Sequence, residues 1–323
     1  MFSAALELPW AVHETVAPPG AFKMVETESG VVPSIERTGR MRILLFACGL
    51  AALSTAAPAD LRQAEALYQQ TRYQDALRLL APLLSTDPDA LLLAGRAAYG
   101  LEDYKKSIEY FEKALQRNPA SSAYAHWLGR AYGRRAETAF PLAAPSYASK
   151  ARQNLEKAVQ LNATNGEALN DLFEYYIQAP GFLGGGAAKA EALLPKIQAV
   201  DAAEHEFALA RLKEDRKDLA GAETHLRRAV ELAPKSVGRV LDVARFLART
   251  GRFAESLTWL ERAEKQAPKS PQVLFQTAQV YIEAKQKLPE ARALLQAYLQ
   301  APPSPDLPSR AEAEKLLKQA GGR

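Results

Sequence analysis

Four arginines fall into two pairs with one spacing: Arg96 and Arg130 are 34 residues apart, and so are Arg211 and Arg245. Each follows a small residue, namely Gly95, Gly129, Ala210 or Ala244. A guanidinium is a rigid fork of donors that matches a carboxylate or a phosphate and keeps its charge. A row of such forks along one face suits an acidic segment or the C-terminal carboxylate of another polypeptide. Glu174 and Gln279 hold equivalent places elsewhere, and His126, Arg134, Phe207, Arg249 and Phe275 are expected to share the surface. The plainer account is that arginine is a good helix former that a repeated segment can copy without use.

Other chemistry is sparse. The histidines are His13, His126, His205 and His225, and no two have metal-ligand spacing on a helix face. No nucleophile with an adjacent base and no paired carboxylates stand out from the surface charge. No catalytic residue, cofactor or metal is therefore assigned. The run Ala179-Pro180-Gly181-Phe182-Leu183-Gly184-Gly185-Gly186 invites a phosphate-binding reading because it leads into a helix N-terminus. It fails the required spacing: Ala187 stands where a lysine is needed, and no strand precedes it. The run is read as a flexible turn that lets Phe182 tuck onto neighbouring helices. An enzyme with its site in this loop is the remote alternative. The formal charge is only +4, the charges alternate in sign, and no basic run is interleaved with aromatics, which argues against nucleic acid.

The elements that must position these residues are visible in a recurring frame. Ser107, Phe111, Ala114 and Pro119 have offsets of 4, 3 and 5. The frame returns as Ala76, Leu80, Leu83, Pro88, as Ala222, Leu226, Ala229, Pro234, and as Ser256, Leu260, Ala263, Pro268, with a degenerate copy at Ala291, Leu295, Tyr298, Pro303. Small residues permit close approach of two antiparallel helices, larger ones fill the space between repeats, and proline ends the second helix. Hydrophobic residues at 48% supply ample core for this, and charged residues at 24% are near the globular average.

This frame resembles the tetratricopeptide repeat, whose unit is 34 residues long. The resemblance implies an all-α, right-handed superhelical solenoid of about seven helix-turn-helix units, with second helices anchored at Ala76, Ser107, Ala151, Ala190, Ala222, Ser256 and Ala291. It also implies that the first helices line a concave groove. The lysine and asparagine set of the family's chaperone-adaptor clamp is not reproduced here. Tyr73, Tyr104, Tyr110, Phe111, Tyr132, Tyr175, Tyr176, Phe253 and Trp259 are read as packing residues. Trp127 lies off the frame, and its plainest role is packing against an insert.

Two units depart from the frame. In the third, Arg134 to Pro145 adds about ten residues before a second helix expected from about Tyr147. In the fourth, the Gly181, Phe182, Gly184, Gly185, Gly186 loop interrupts the turn before Ala190. Insertions within a repeat become loops on one face, often a binding face, and these two should be neighbours. After Pro302-Pro303-Ser304-Pro305, a helix from Ser309 to Ala320 with Ala313, Leu316 and Leu317 on one face should cap the array.

Met41-Arg42, an apolar run from Ile43 to Leu53 and Ala56-Ala57-Pro58-Ala59 have the layout of a secretory signal peptide. The chain divides into a leader at 1–40, read as non-native or disordered, a signal at 41–59, an array at 60–303 and a linker with capping helix at 304–323. Cys48, the single cysteine, partly matches a lipoprotein acceptor. The resulting expectation is an exported, periplasmic scaffold that binds a protein or peptide partner in its groove, with membrane contact only through an uncleaved signal or a lipidated Cys48. Anchoring in the inner membrane by residues 43–57 is the alternative setting. The alternative role is a structural subunit of a cell-envelope complex, binding through its convex face or termini.

Overall fold

The protein is seen in a computed structural model that describes residues 59–321, and among these the regular structure is helical throughout, with no strand. The signal-like segment, Cys48 and the leader lie outside the described residues. Helices pair in order. The first unit is α1 (Ala59–Gln69) and α2 (Tyr73–Leu80), and the second is α3 (Pro88–Gly100) and α4 (Tyr104–Arg117). The third is α5 (Ser122–Thr138) and α6 (Ala144–Leu161). The fourth is α7 (Gly166–Gln178) with a divided second helix, α8 (Ala187–Glu191) and α9 (Leu194–Val200). Then come α10 (Ala202–Asp215) and α11 (Leu219–Leu232), α12 (Val237–Arg249) and α13 (Phe253–Gln266), and α14 (Pro271–Glu283) and α15 (Leu288–Gln300). A last helix, α16 (Arg310–Gly321), follows.

The seven expected anchor residues, from Ala76 to Ala291, are all completely buried. Their size matters because the facing helix is very close. A Cβ at Gly95 would lie 2.3 Å from the Phe111 ring, and one at Gly129 would lie 2.9 Å from the Leu155 side chain. At the first of these contacts the Ser107 hydroxyl donates to the Gly95 carbonyl at 2.9 Å, so this polar anchor is satisfied. Prolines 119, 234, 268 and 303 follow the ends of α4, α11, α13 and α15, as the frame requires. Pro88 does otherwise. The chain leaves α2 through a short 3-10 turn, Ala81–Leu83, and Pro88 opens α3, where its missing N–H costs nothing.

The regular units close with the same backbone turn. Thr71, Glu102, Lys217 and Gly251 take left-handed φ values of 56, 60, 62 and 83° between the two helices. The amide of the following residue reaches back five residues in each case, as in Asp103 to Ala98 at 3.0 Å and Asp218 to Lys213 at 2.9 Å. The third and fourth units lack this turn and carry the inserts instead. In the third, α6 begins at Ala144, about one turn earlier than expected, because the inserted segment continues straight into it.

First helices of successive units meet directly, as α1 with α3, α3 with α5, α7 with α10 and α12 with α14. Among the described residues, second helices of successive units nowhere come as close. The stack must therefore curve with its first helices inside, and residues facing inward on them line the groove. The expected cap is present: α16 buries Ala313 and Ala320 against α14 and α15, with Leu316 and Leu317 partly covered. Burial pushes the Glu312 carboxyl of α16 up, and Arg134 and Glu102 are among the charges that act on it. The end of the array thus returns within electrostatic reach of the second and third units.

Candidate functional site

Arg96 on α3, with Tyr68 on α1 and Trp127 on α5, starts a continuous strip on the inner face. The Arg96 guanidinium lies 4.5 Å from the centre of the Tyr68 ring and 5.2 Å from that of Trp127. Arg130, one turn beyond Trp127, stacks on the same indole at 4.6 Å and on Tyr99 at 5.8 Å. Tyr99 meets Trp127 edge-on at 5.7 Å and Tyr104 at 5.5 Å. Arg134 closes the strip over Tyr104, whose hydroxyl accepts its Nε–H at 3.2 Å. Cations over ring faces are attracted by the ring quadrupole, and the stacking fixes the orientation of each donor fork.

Arg96 is the least satisfied member. It makes no ion pair with the described residues, and its buried Nε has no hydrogen-bond partner. Arg130 approaches Asp171 at 3.6 Å, and His126 donates to the same carboxylate from Nε2 at 2.7 Å. Burial alone would raise Asp171, but Arg130 and His126 outweigh it and hold the carboxyl below its usual value. Arg134 pairs with Glu137 at 2.6 Å, yet burial still pushes that carboxyl up to about 7.

Further along the array, equivalent positions are filled differently. Arg211 on α10 is gripped by Glu174 from the preceding unit at 3.0 and 3.1 Å and by Glu214 at 2.7 Å. Glu214 also accepts from Arg249 at 2.8 Å. Arg239 is buried against Phe207 and pairs with Glu204 and with Asp242, the latter at 3.2 Å. Burial raises Glu204 to about 7, with Arg239 opposing the shift and Asp242 adding to it. Arg245 is buried, with one nitrogen donating to Gln276 at 3.0 Å and an unpartnered Nε.

The structure thus brings Arg96, Arg130 and Arg134 into one strip and places Arg211, Arg245 and Arg249 in a second region, where Arg211 and Arg249 share Glu214 and Arg245 bonds to Gln276. It corrects the expectation that His126, Phe207 and Phe275 share an open surface. All three are buried, His126 under its Asp171 bond, Phe207 under Arg239 and Phe275 against Tyr298 at 5.1 Å. Tyr68, Tyr99 and Trp127 were not assigned to the groove from sequence. The signal for two of them lay in register: Tyr68 and Tyr99 each stand three residues before the left-handed turn residue, where the fifth unit has Glu214.

The glycine insert is also corrected. Leu183, not Phe182, is tucked in, packed among Ala148, Leu155 and Tyr175, whose hydroxyl donates to the Leu183 carbonyl at 2.9 Å. Phe182 points outward. The loop is a closed turn rather than a flexible one. The amides of Gly184, Gly185 and Gly186 donate to Gly181, Pro180 and Tyr176, so none is left to cradle a phosphate. At Gly185 a Cβ would lie 1.7 Å from the Ala179 carbonyl oxygen, and Gly186 has φ +134°, so glycine is required at both. Among the described residues no cluster of His, Cys, Asp and Glu is arranged to hold a metal, and no helix is long and apolar enough to cross a membrane.

Two sequence profiles, both described as tetratricopeptide repeat, match residues 61–123 and 92–158 and residues 214–274. The unmatched stretch between them contains the glycine insert. No curated protein matches the sequence. Among solved structures, a tetratricopeptide repeat protein from Parabacteroides merdae is 13% identical with a TM-score of 0.55, the match covering 81% of this chain and 98% of that one. A thermophilic tetratricopeptide protein from Thermus thermophilus is 25% identical with a TM-score of 0.46, covering 62% of this chain and 97% of that one. The first of these likenesses supports the all-α repeat fold.

Proposed function

Because the chain is a tetratricopeptide-repeat protein, we propose that it is a scaffold that holds an extended acidic segment of another polypeptide along the first helices of its first three units. Repeats of this family commonly bind proteins or peptides and generally do no chemistry of their own. The observation that carries the finer reading is Arg96: a charged fork fixed between Tyr68 and Trp127, with no carboxylate of its own and a buried Nε that lacks an acceptor. The Arg96 charge has no carboxylate partner among the described residues, and a ligand carboxylate at the guanidinium edge would supply one. The rings beside it would cover the apolar parts of the same segment.

Anisotropy of fluorescein-labelled peptides rich in Asp and Glu tests this directly. The intact chain should bind them, more weakly as salt rises, and Arg96→Glu with Arg130→Glu should abolish binding. Equal binding by parent and variant would refute the assignment. The signal-like stretch at 41–59 supports an exported setting for this scaffold, periplasmic in a cell with two membranes. Intact mass of the protein recovered from the cell envelope tests that part, since retention of residues 1–56 in an unprocessed, soluble chain would overturn it.

A further inference from the structure

Among the described residues, few large apolar side chains reach solvent. Leu101, Leu161, Val200, Leu219 and Leu232 are between 38% and 48% exposed. Three others are far outside that range: Phe140 at 86%, Leu142 at 97% and Phe182 at 81%. All three sit on the two inserts, both of which join a first helix to its second helix and so lie at the same edge of the stack. The turn at Gly181–Leu183 rests on α6, the helix into which the other insert leads. Neither insert is slack. The turn carrying Phe182 is fixed by Leu183 and its three internal amide bonds, and in the segment of Phe140 and Leu142 the amides of Ala143 and Ala144 both donate to the Phe140 carbonyl.

The charge around these tips is one-sided. No charged residue occurs from Thr138 to Ser149 or from Ala179 to Ala188. The flanking carboxylates are already engaged, Glu137 by Arg134, Glu156 by Arg152 and Tyr176, and Glu112 by Tyr132. The flanking cations Arg135, Lys150 and Lys189 have no ion pair with the described residues and lie over the rings of Tyr147, Tyr132 and Tyr176, with Lys189 also donating one of its three N–H groups to the Gly184 carbonyl at 2.7 Å. Held apolar tips without acidic neighbours, bordered by uncompensated cations, have the chemistry of an interfacial lipid contact: bulky side chains enter the boundary of headgroups and acyl chains while cations meet phosphates.

We infer that the edge formed by the two inserts docks on an anionic lipid surface through Phe140, Leu142 and Phe182, with Arg135, Lys150 and Lys189 facing the headgroups. This inference is independent of the groove and places membrane contact away from the N-terminal segment. Flotation of the full chain with phosphatidylglycerol-rich vesicles, against pure phosphatidylcholine vesicles, tests it. The parent should float with the anionic vesicles and less with the neutral ones. Phe140→Ser, Leu142→Ser and Phe182→Ser together should weaken this at least about tenfold. Arg135→Glu, Lys150→Glu and Lys189→Glu should remove the preference for anionic lipid. Both variants keep residues 1–58, so any affinity of that stretch cancels in the comparison. Should the triple serine variant melt early, Leu142→Ser alone, at the most exposed of the three positions, should still reduce flotation. Flotation unchanged by the serine substitutions overturns the inference. So does the finding that they abolish self-association in lipid-free sedimentation and leave flotation intact, because the edge would then meet a second copy of the chain.

Discussion

Arg96 in the second unit and Arg211 in the fifth each stand six residues before the left-handed turn residue, and the chain holds them in opposite ways. Arg96 and Arg130 stack on Tyr68, Trp127 and Tyr99. Arg211, Arg239 and Arg249 are held by Glu174, Glu204, Asp242 and Glu214 from their own and adjoining units. The Arg96 guanidinium, held on rings, makes no ion pair with the described residues, whereas Arg211 is locked between two carboxylates. The repeat therefore fixes where these two arginines stand, and the residue three places on, Tyr99 after Arg96 and Glu214 after Arg211, differs between a ring and a carboxylate.

The largest break in this comparison should come from removing a strut. Arg239→Ala leaves Glu204 and Asp242 facing each other in a buried site, and loss of one partner of such a pair costs about 3 kcal/mol or more. The melting temperature should fall accordingly, and by less at pH 6 than at pH 8, since Glu204 can then take up a proton. Arg96→Ala should lower stability by less than about 1 kcal/mol while removing peptide binding. If thermal unfolding reports equal losses for the two, the division into binding and structural regions fails.

Next in size is the pH response of the strut region. Glu204 is raised from its ordinary range to about 7 in the folded chain, so the unfolded chain loses that proton first as pH rises. The stability tied to this group is full below pH 4.5 and declines until pH passes about 7. Glu204→Gln should flatten this window, gaining about 1–3 kcal/mol on the parent between pH 5 and pH 8 in urea titrations. A parallel pair of curves would refute it. Glu137, raised to about 7 beside Arg134, should behave alike in the binding region.

A register swap sharpens the comparison further. Tyr99→Glu would give Arg96, three residues earlier, the kind of neighbour that Glu214 gives Arg211, and should weaken an acidic peptide by about tenfold with little change in fold. An unchanged anisotropy curve would show that the rings do not preserve the charge for a ligand.

What was legible in the chain follows from what acts locally. The seven anchors were readable because helix-to-helix distance tolerates only small side chains there, and every one of them is fully buried. The division of the arginines was not readable in the same way. Its partners lie about one repeat away, as Glu174 does from Arg211 and Glu204 from Arg239, and pairing across units depends on the pitch of the stack. The exchange of Phe182 for Leu183 escaped for a similar reason: two adjacent apolar residues in a glycine run are equivalent until the Tyr175 hydroxyl selects one carbonyl. Pro88 fitted the closing position by spacing alone, while its N1 role depends on Asp87, which caps α3 by accepting from the amides of Asp89 and Ala90.

The smallest effect concerns the turn that the two regions share. Lys217 in the fifth unit and Glu102 in the second adopt left-handed φ values of 62 and 60°, where a side chain crowds its own backbone, and Gly251 fills the same place in the sixth. Lys217→Gly should relieve that crowding, offset in part by the greater freedom glycine has in the unfolded chain, for a net gain of about 0.5 kcal/mol. Glu102→Gly should gain a similar amount in the second unit, and because Glu102 acts on Tyr104 of the strip, loss of its negative charge should leave affinity for an acidic peptide equal or higher. Equal small gains at both turns would show that the backbone frame is common to the two regions and that their difference lies in side chains. A gain at one and a loss at the other would mean that the frame itself differs between them, and register would no longer explain how the arginines divide.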